Sequence, residues 1–240
     1  MRHQGDIRER SPLAVVHIPT GRYGAAMGDP QHALVLDYGG VLTSSVTASV
    51  HQWLTSEGIE PEGYHAVLRE WYDSATRDSP VHRLESGLLP AVEFEQLLAA
   101  RLRTGAGRAV RADGLLTRMF AGMRPDPTML GLVRQTRAAG MATALLSNSW
   151  GNTYPAELAE LFEVMVISGE VGLRKPDAAI YTLVVEQLGI PATRCVFVDD
   201  LPFNVDAAVA LGMVGVRHVD AATTRAELAR LFPTLAEVAE

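Results

Sequence analysis

Five short apolar runs, Ala33–Asp37, Met141–Leu146, Val164–Ser168, Cys195–Asp199 and Met213–Arg217, constrain this chain more than any other feature. Each has the length of a strand and is too short for a helix. Each also lacks the polar alternation of a strand with one wet face. Helical patterns lie between the later runs, at roughly Pro127–Ala139, Pro155–Phe162, Pro176–Leu188 and Asn204–Leu211. Apolar strands alternating with helices predict a doubly wound α/β domain, a parallel sheet covered on both faces with right-handed crossovers. Ligands in such folds bind beyond the carboxyl ends of the strands.

Polar residues gather at those ends. The first run stops at Asp37, and Gly39-Gly40 then turns the chain. A carboxylate at the mouth of a buried strand costs free energy unless a cation or donors meet it. The second run ends in Ser147-Asn148-Ser149, small donors suited to phosphate oxygens and equally suited to a turn. Before the third helix stands Arg174-Lys175-Pro176-Asp177. Pro176 fits the first helical position, which places Lys175 at the helix N-terminus, where a cation opposes the dipole. Lys175 there makes better sense reaching an anion in a pocket than solvated on the surface. The fourth run ends in Asp199-Asp200, with Asn204 placed to pin the loop or cap the next helix. Adjacent carboxylates repel, and a divalent cation is a natural neutraliser. Capping alone would also explain either aspartate.

From Ser44 to about Met123 the alternation stops, and apolar residues recur at helical spacing. We therefore expect a core domain over 31–43 and 124–240, a helical insertion over 44–123 placed like a lid over the strand ends, and a loosely ordered extension over 1–30. Met27 could serve as the start, since the periodic pattern begins just after it. The chain has 240 residues, 48% of them hydrophobic, enough for a sizeable core and a small second domain. Its net charge of −7, 21 basic against 28 acidic residues, argues against nucleic-acid or anionic-membrane binding. No apolar stretch approaches the ~20 residues of a bilayer span. The one cysteine, Cys195, lies in an apolar run and reads as a small buried hydrophobe in a reducing, cytoplasmic setting.

These motifs, in this order, resemble the haloacid dehalogenase (HAD) superfamily, in the subfamily with a helical C1 cap inserted after the first strand. Asp37-Tyr38-Gly39-Gly40-Val41-Leu42 is similar to its first motif, Ser147 to the second, Lys175 in Arg-Lys-Pro-Asp to the third, and Asp199-Asp200 with Asn204 to the fourth. Val171 to Tyr181 is similar to sugar-phosphatase-like members and to epoxide hydrolase N-terminal domains. The resemblance runs from about Ala33 to Val219. It implies a Rossmann-like core and a phosphatase acting on a small phosphorylated metabolite, as monomer or homodimer. Asp37 would form an aspartyl-phosphate. Mg²⁺ would be bound by Asp37, the Gly39 carbonyl and Asp200, with Asp199 behind them. Ser147, Asn148, Gly40 and Lys175 would hold the phosphoryl group.

The departure is Gly39, where phosphatases of the superfamily usually carry a second aspartate as general acid and base. Such help is typically worth ~10²–10⁴-fold in rate. The resemblance therefore favours good leaving groups, such as sugar-1-phosphates or acyl phosphates. A metal-free 2-haloacid dehalogenase is the alternative, opposed by Asp199-Asp200. A catalytically impaired or repurposed scaffold is another, supported by Gly39 alone. Trp53, Trp71, Trp150, His51, His65 and His82 are candidate substrate contacts on the cap side, with core packing the commoner role for aromatics at helical spacing; Trp150 has the best claim to the pocket, and His218 is expected at the surface.

Overall fold

The computed structural model describes residues 32–73 and 78–233. The expected extension over 1–30, with Met27, lies outside the described residues. Strand β1 (Ala33–Leu36) is buried at every position, as a central parallel strand must be. Its side chains alternate between two cores. Leu34 and Leu36 enter one cluster with Met129, Leu132, Val196 and Val198. Ala33 and Val35 enter the other, with Ile180, Tyr181, Cys195 and Phe197. Each fully buried branched side chain contributes about 1.5–3 kcal/mol relative to exposure.

After β1 the chain leaves the sheet for five helices: α1 (Val46–Glu57), α2 (Pro61–Tyr72), α3 (Pro80–Glu85), α4 (Ala91–Arg101) and α5 (Leu115–Met119). Ser45 caps α1 by accepting from the Ala48 N–H, and Ser79 caps α3 from His82. These helices bury a third cluster of their own, with Trp53, Leu54, Trp71, Phe94 and Leu98 at its centre. Trp71 meets Phe94 edge to face at 5.6 Å. The outgoing and returning chains are tied together at the base. Ser44 N–H donates to the Arg124 carbonyl (2.8 Å), Arg124 N–H to Ser44 Oγ (3.0 Å), and Asp126 N–H to the Leu42 carbonyl (2.8 Å).

The chain then alternates: α6 (Pro127–Ala138), β2 (Ala142–Ser147), α7 (Ala156–Ala159), β3 (Val164–Ile167), α8 (Ser168–Val171), α9 (Ala178–Leu188), β4 (Cys195–Asp199), α10 (Pro202–Ala210), β5 (Val214–Arg217) and α11 (Ala221–Leu231). All five expected strands form one parallel sheet in the order β3-β2-β1-β4-β5. This is the doubly wound α/β architecture. Leu36 pairs with Leu145 on one side and Val198 on the other, so Asp37 and Asp199 emerge side by side from the two central strands. That is the topological switch point, where the connections diverge and a crevice opens. Cys195 is buried as expected, its thiol pushed up to about 11 by burial. Among the described residues no helix is long and apolar enough to cross a membrane.

Two expectations need correction. Pro176 does not start a helix: Lys175-Pro176 is a cis peptide inside a turn, and α9 begins at Ala178 after Asp177. His218 is not a surface residue. It is buried, and its Nδ1 lies 2.8 Å from Thr224 Oγ1, because α11 folds back over the end of β5.

Candidate active site

The site begins with the backbone. Asp37 N–H donates to the Val198 carbonyl (2.9 Å), which continues the β1–β4 ladder one residue beyond the strand and leaves the carboxylate at its mouth. Gly40 then turns with φ +80, and a Cβ there would lie 2.7 Å from Asp200 Oδ2. Only glycine gives both the conformation and the space. The Gly40 N–H donates to Thr43 Oγ1 (3.1 Å), so this amide is engaged inside its own loop.

Lys175 reaches the same place, although not from a helix terminus. Its Nζ donates to Asp37 Oδ1 at 2.8 Å and to Asp199 Oδ2 at 2.7 Å, with 2% of the side chain exposed. The Phe197 ring lies 5.5 Å from the ammonium. Asn148 holds this backbone like a clamp: Lys175 N–H donates to Asn148 Oδ1 (2.8 Å), and Asn148 Nδ2 donates to the Lys175 carbonyl (3.0 Å). Both ends of the Asn148 amide are thereby engaged in positioning Lys175.

Asp199 is fully buried and saturated. Oδ1 accepts from the Leu201 N–H (2.9 Å) and Asn204 Nδ2 (3.1 Å), while Oδ2 accepts from Asn204 (3.1 Å) and Lys175. Asn204 therefore pins Asp199 from within α10 and does not cap that helix. Asp200, half-buried, meets no such set of donors among the described residues. Carboxylate oxygens of Asp37, Asp199 and Asp200 all lie within 4.8 Å of one another. Three carboxyl groups share this space with one ammonium.

Electrostatics follows from that count. Burial pushes the Asp37 carboxyl up to about 6, against the pull of Lys175. Burial, with Asp199 beside it, also raises Asp200. Burial works against the charge on Lys175, yet Asp37 and Asp199 outweigh it and hold the ammonium above the usual lysine range. The cluster is short of positive charge, and its hard oxygen donors suit a divalent cation.

Ser147 ends β2 and is buried, and the Tyr154 hydroxyl donates to its Oγ at 2.8 Å. At Gly39 the space for a side chain is occupied: a Cβ would meet Val46 Cγ2 at 2.9 Å and Met123 Cε at 3.8 Å. Trp53, Trp71 and His82 are buried within the helical insertion, whereas His51 and His65 are exposed on its surface. Trp150 stacks on Phe120 of the insertion at 5.3 Å.

Sequence reasoning missed the polar contact between the two bodies. Glu85, at the end of α3, accepts from Arg174 Nε (2.7 Å) and Nη2 (2.6 Å). Tyr72 donates to the other oxygen, Oε1, at 3.3 Å, and Asn148 Nδ2 stands 3.5 Å from Oε2, the oxygen that Arg174 holds. No periodicity marks a lone acid at the end of a six-residue helix.

The carboxylate–lysine–carboxylate cluster lies buried at the switch point of a doubly wound parallel sheet, where folds of this class bind their ligands. The family model for haloacid dehalogenase-like hydrolases matches residues 32–212, and the chain belongs to that family. A phosphatase of Mycobacterium tuberculosis is 29% identical over 195 residues, 75% of this chain and 84% of that protein. A sesquiterpene phosphatase of Aspergillus oryzae is 36% identical over 115 residues, which is 45% of this chain and 58% of the fungal protein's length. A HAD family enzyme of Bacteroides thetaiotaomicron, solved with magnesium and inorganic phosphate, shares the fold. It has a TM-score of 0.57 and 21% identity, and the match covers 78% of this chain and 93% of that one.

Proposed function

We propose that this hydrolase is a Mg²⁺-dependent phosphatase of a small phosphorylated metabolite, working in the cytoplasm through an aspartyl-phosphate on Asp37. The observation that carries the reading is the Asp37–Lys175–Asp199 cluster with Asp200 beside it. Two relatives named as phosphatases support the reaction class.

Asp37 attacks phosphorus while the bond from phosphorus to the ester oxygen breaks. Water then attacks phosphorus, the bond to Asp37 breaks, and inorganic phosphate leaves. Lys175 holds Asp37 in place and offsets charge on the phosphoryl oxygens, with Ser147 as a further donor. Asp37, Asp200 and the Gly39 carbonyl would hold the metal, with Asp199 behind them fixing Lys175 and the loop. When bound, the cation offsets negative charge on the transferring group. Gly39 has no proton to give the departing oxygen, so sugar-1-phosphates and acyl phosphates are the favoured substrates.

Phosphate release from a panel of phosphometabolites is expected in the presence of Mg²⁺ and lost on chelation. Asp37→Asn is expected to lower it at least about a thousandfold with an unchanged circular dichroism spectrum. Undiminished turnover in that variant would sink the covalent mechanism. A second reading, a phosphate-binding scaffold with slow turnover, is favoured by Val46 and Met123 filling the space beside Gly39. It predicts binding of inorganic phosphate with little turnover across the same panel.

A further inference from the structure

We infer that Tyr154 is a positioning residue for phosphate recognition, fixing which way the Ser147 hydroxyl donates. This inference rests on the phosphatase reading. The two hydroxyls lie 2.8 Å apart, and only one proton can occupy the line between them. A phenol is a far stronger acid than an alkyl alcohol, hence the better donor and poorer acceptor. Tyr154 therefore donates and Ser147 Oγ accepts.

That choice leaves the Ser147 proton to point elsewhere. Among the described residues no other hydrogen-bond partner of Ser147 Oγ is found, although the residue is 2% exposed. Asp37 and Lys175 act electrostatically on the Tyr154 hydroxyl, so the Tyr154–Ser147 pair stands beside the crevice where those two meet, and that crevice is the direction assigned to the Ser147 proton. Ser147 thus becomes a committed donor, matched to an anion that carries only acceptors. Left alone, its hydroxyl would rotate among several orientations.

The surroundings hold Tyr154 to this role. Its ring leans on the Tyr38 ring at 4.5 Å, and Tyr38 directly follows Asp37. Burial pushes the phenol up to about 12, so it keeps its proton across the working range. Ser149 also lies beside the Tyr154 hydroxyl, but its own hydroxyl donates to the Gly151 carbonyl at 3.1 Å. It does not compete for the role of donor to Ser147.

A double-mutant cycle on the full chain tests the inference, reading the affinity for inorganic phosphate by calorimetry in the presence of Mg²⁺. Tyr154→Phe keeps the ring against Tyr38 and is expected to weaken phosphate binding about three- to tenfold. In a Ser147→Ala background the same change is expected to cost nothing further. In a Ser147→Thr background, which restores a hydroxyl, the loss should return. An equal loss with and without the Ser147 hydroxyl, or no loss in the parent chain, overturns the positioning role. Failure of the underlying phosphatase reading has a different signature: Ser147→Ala alone leaves phosphate affinity unchanged, and both ideas fall together.

Discussion

Arg174 and Lys175 are neighbours in the chain, yet they serve two different ionic clusters. Lys175 points into the sheet and joins carboxylates from the ends of β1 and β4. Arg174 points to the helical insertion and joins Glu85 at the end of α3. The Lys175 cluster is braced on every side by Asn148, Asn204 and the Leu201 N–H, and Lys175 is 2% exposed. The Arg174–Glu85 pair is 13% and 15% exposed and bridges two separately packed cores. The cation of the first cluster and the carboxyl of the second respond differently to burial. The folded protein holds the Lys175 ammonium more firmly than water does, while burial outweighs Arg174 and raises the Glu85 carboxyl. In both clusters burial raises a carboxyl, Asp37 in the first and Glu85 in the second; what sets the first apart is a cation held between two carboxylates, whereas the second is one pair at the junction of two bodies.

Removing the cation from the first cluster is the larger test. Lys175→Met leaves Asp37 and Asp199 buried side by side without a counter-charge. Breaking a buried ion pair in this way costs about 3–5 kcal/mol. Urea unfolding is expected to show that loss at neutral pH. Because the ammonium is held above its ordinary range, its contribution is present throughout the working pH range and is lost only as pH rises through the raised value. A loss under about 1 kcal/mol would mean that the bracing hydrogen bonds, and not the charge, hold the cluster.

Gly39 yields an intermediate effect and bears on rate. Installing an aspartate there puts a Cβ 2.9 Å from Cγ2 of Val46, a β-branched helix residue with one strongly preferred rotamer. Gly39→Asp alone is expected to lose about 1–3 kcal/mol of stability through overpacking, with turnover no better than the parent. Combined with Val46→Ala, the same aspartate has room. Turnover of esters with poor leaving groups is then expected to rise about tenfold or more. A gain from Gly39→Asp alone would show that the base of the insertion yields more easily than its packing indicates.

The contrast between the two clusters also marks what the sequence could disclose. All five strands were legible because they are apolar on both faces, a pattern that few other structures tolerate. Asp37, Ser147 and Asp199-Asp200 were legible because each comes at the end of an apolar run, and Lys175 was legible only through the neighbouring Pro176, read as a helix start. The route by which Lys175 arrives was not. Pro176 fits the start of a helix, and nothing local distinguishes that from a cis turn braced by Asn148, a residue in another loop. His218 was misplaced for a similar reason, since its partner Thr224 comes from the helix beyond. Tyr154 and Glu85 left no trace because their contacts join segments with no shared period. Long-range polar pairing is the part of a site that spacing does not encode.

The smallest expected effect belongs to Glu85, and it is the one that separates the two clusters most sharply. Glu85→Gln keeps an acceptor for Arg174 and removes only the charge. A carboxyl whose folded pKa is raised weakens the fold once it ionises, and that cost disappears as pH falls below its ordinary range. The glutamine variant is therefore expected to match or slightly exceed the parent in stability at neutral pH, by about 1 kcal/mol or less. The difference should shrink toward zero on acidification, which paired urea titrations would reveal. If the pair serves to seat the insertion over the crevice, kcat/KM falls several-fold while stability does not. A stability loss as large as that of Lys175→Met would erase the distinction, and the insertion would then be riveted to the sheet by charge. Lower turnover at equal stability would identify the Glu85–Arg174 contact as one that seats the insertion over the site rather than one that holds the fold together.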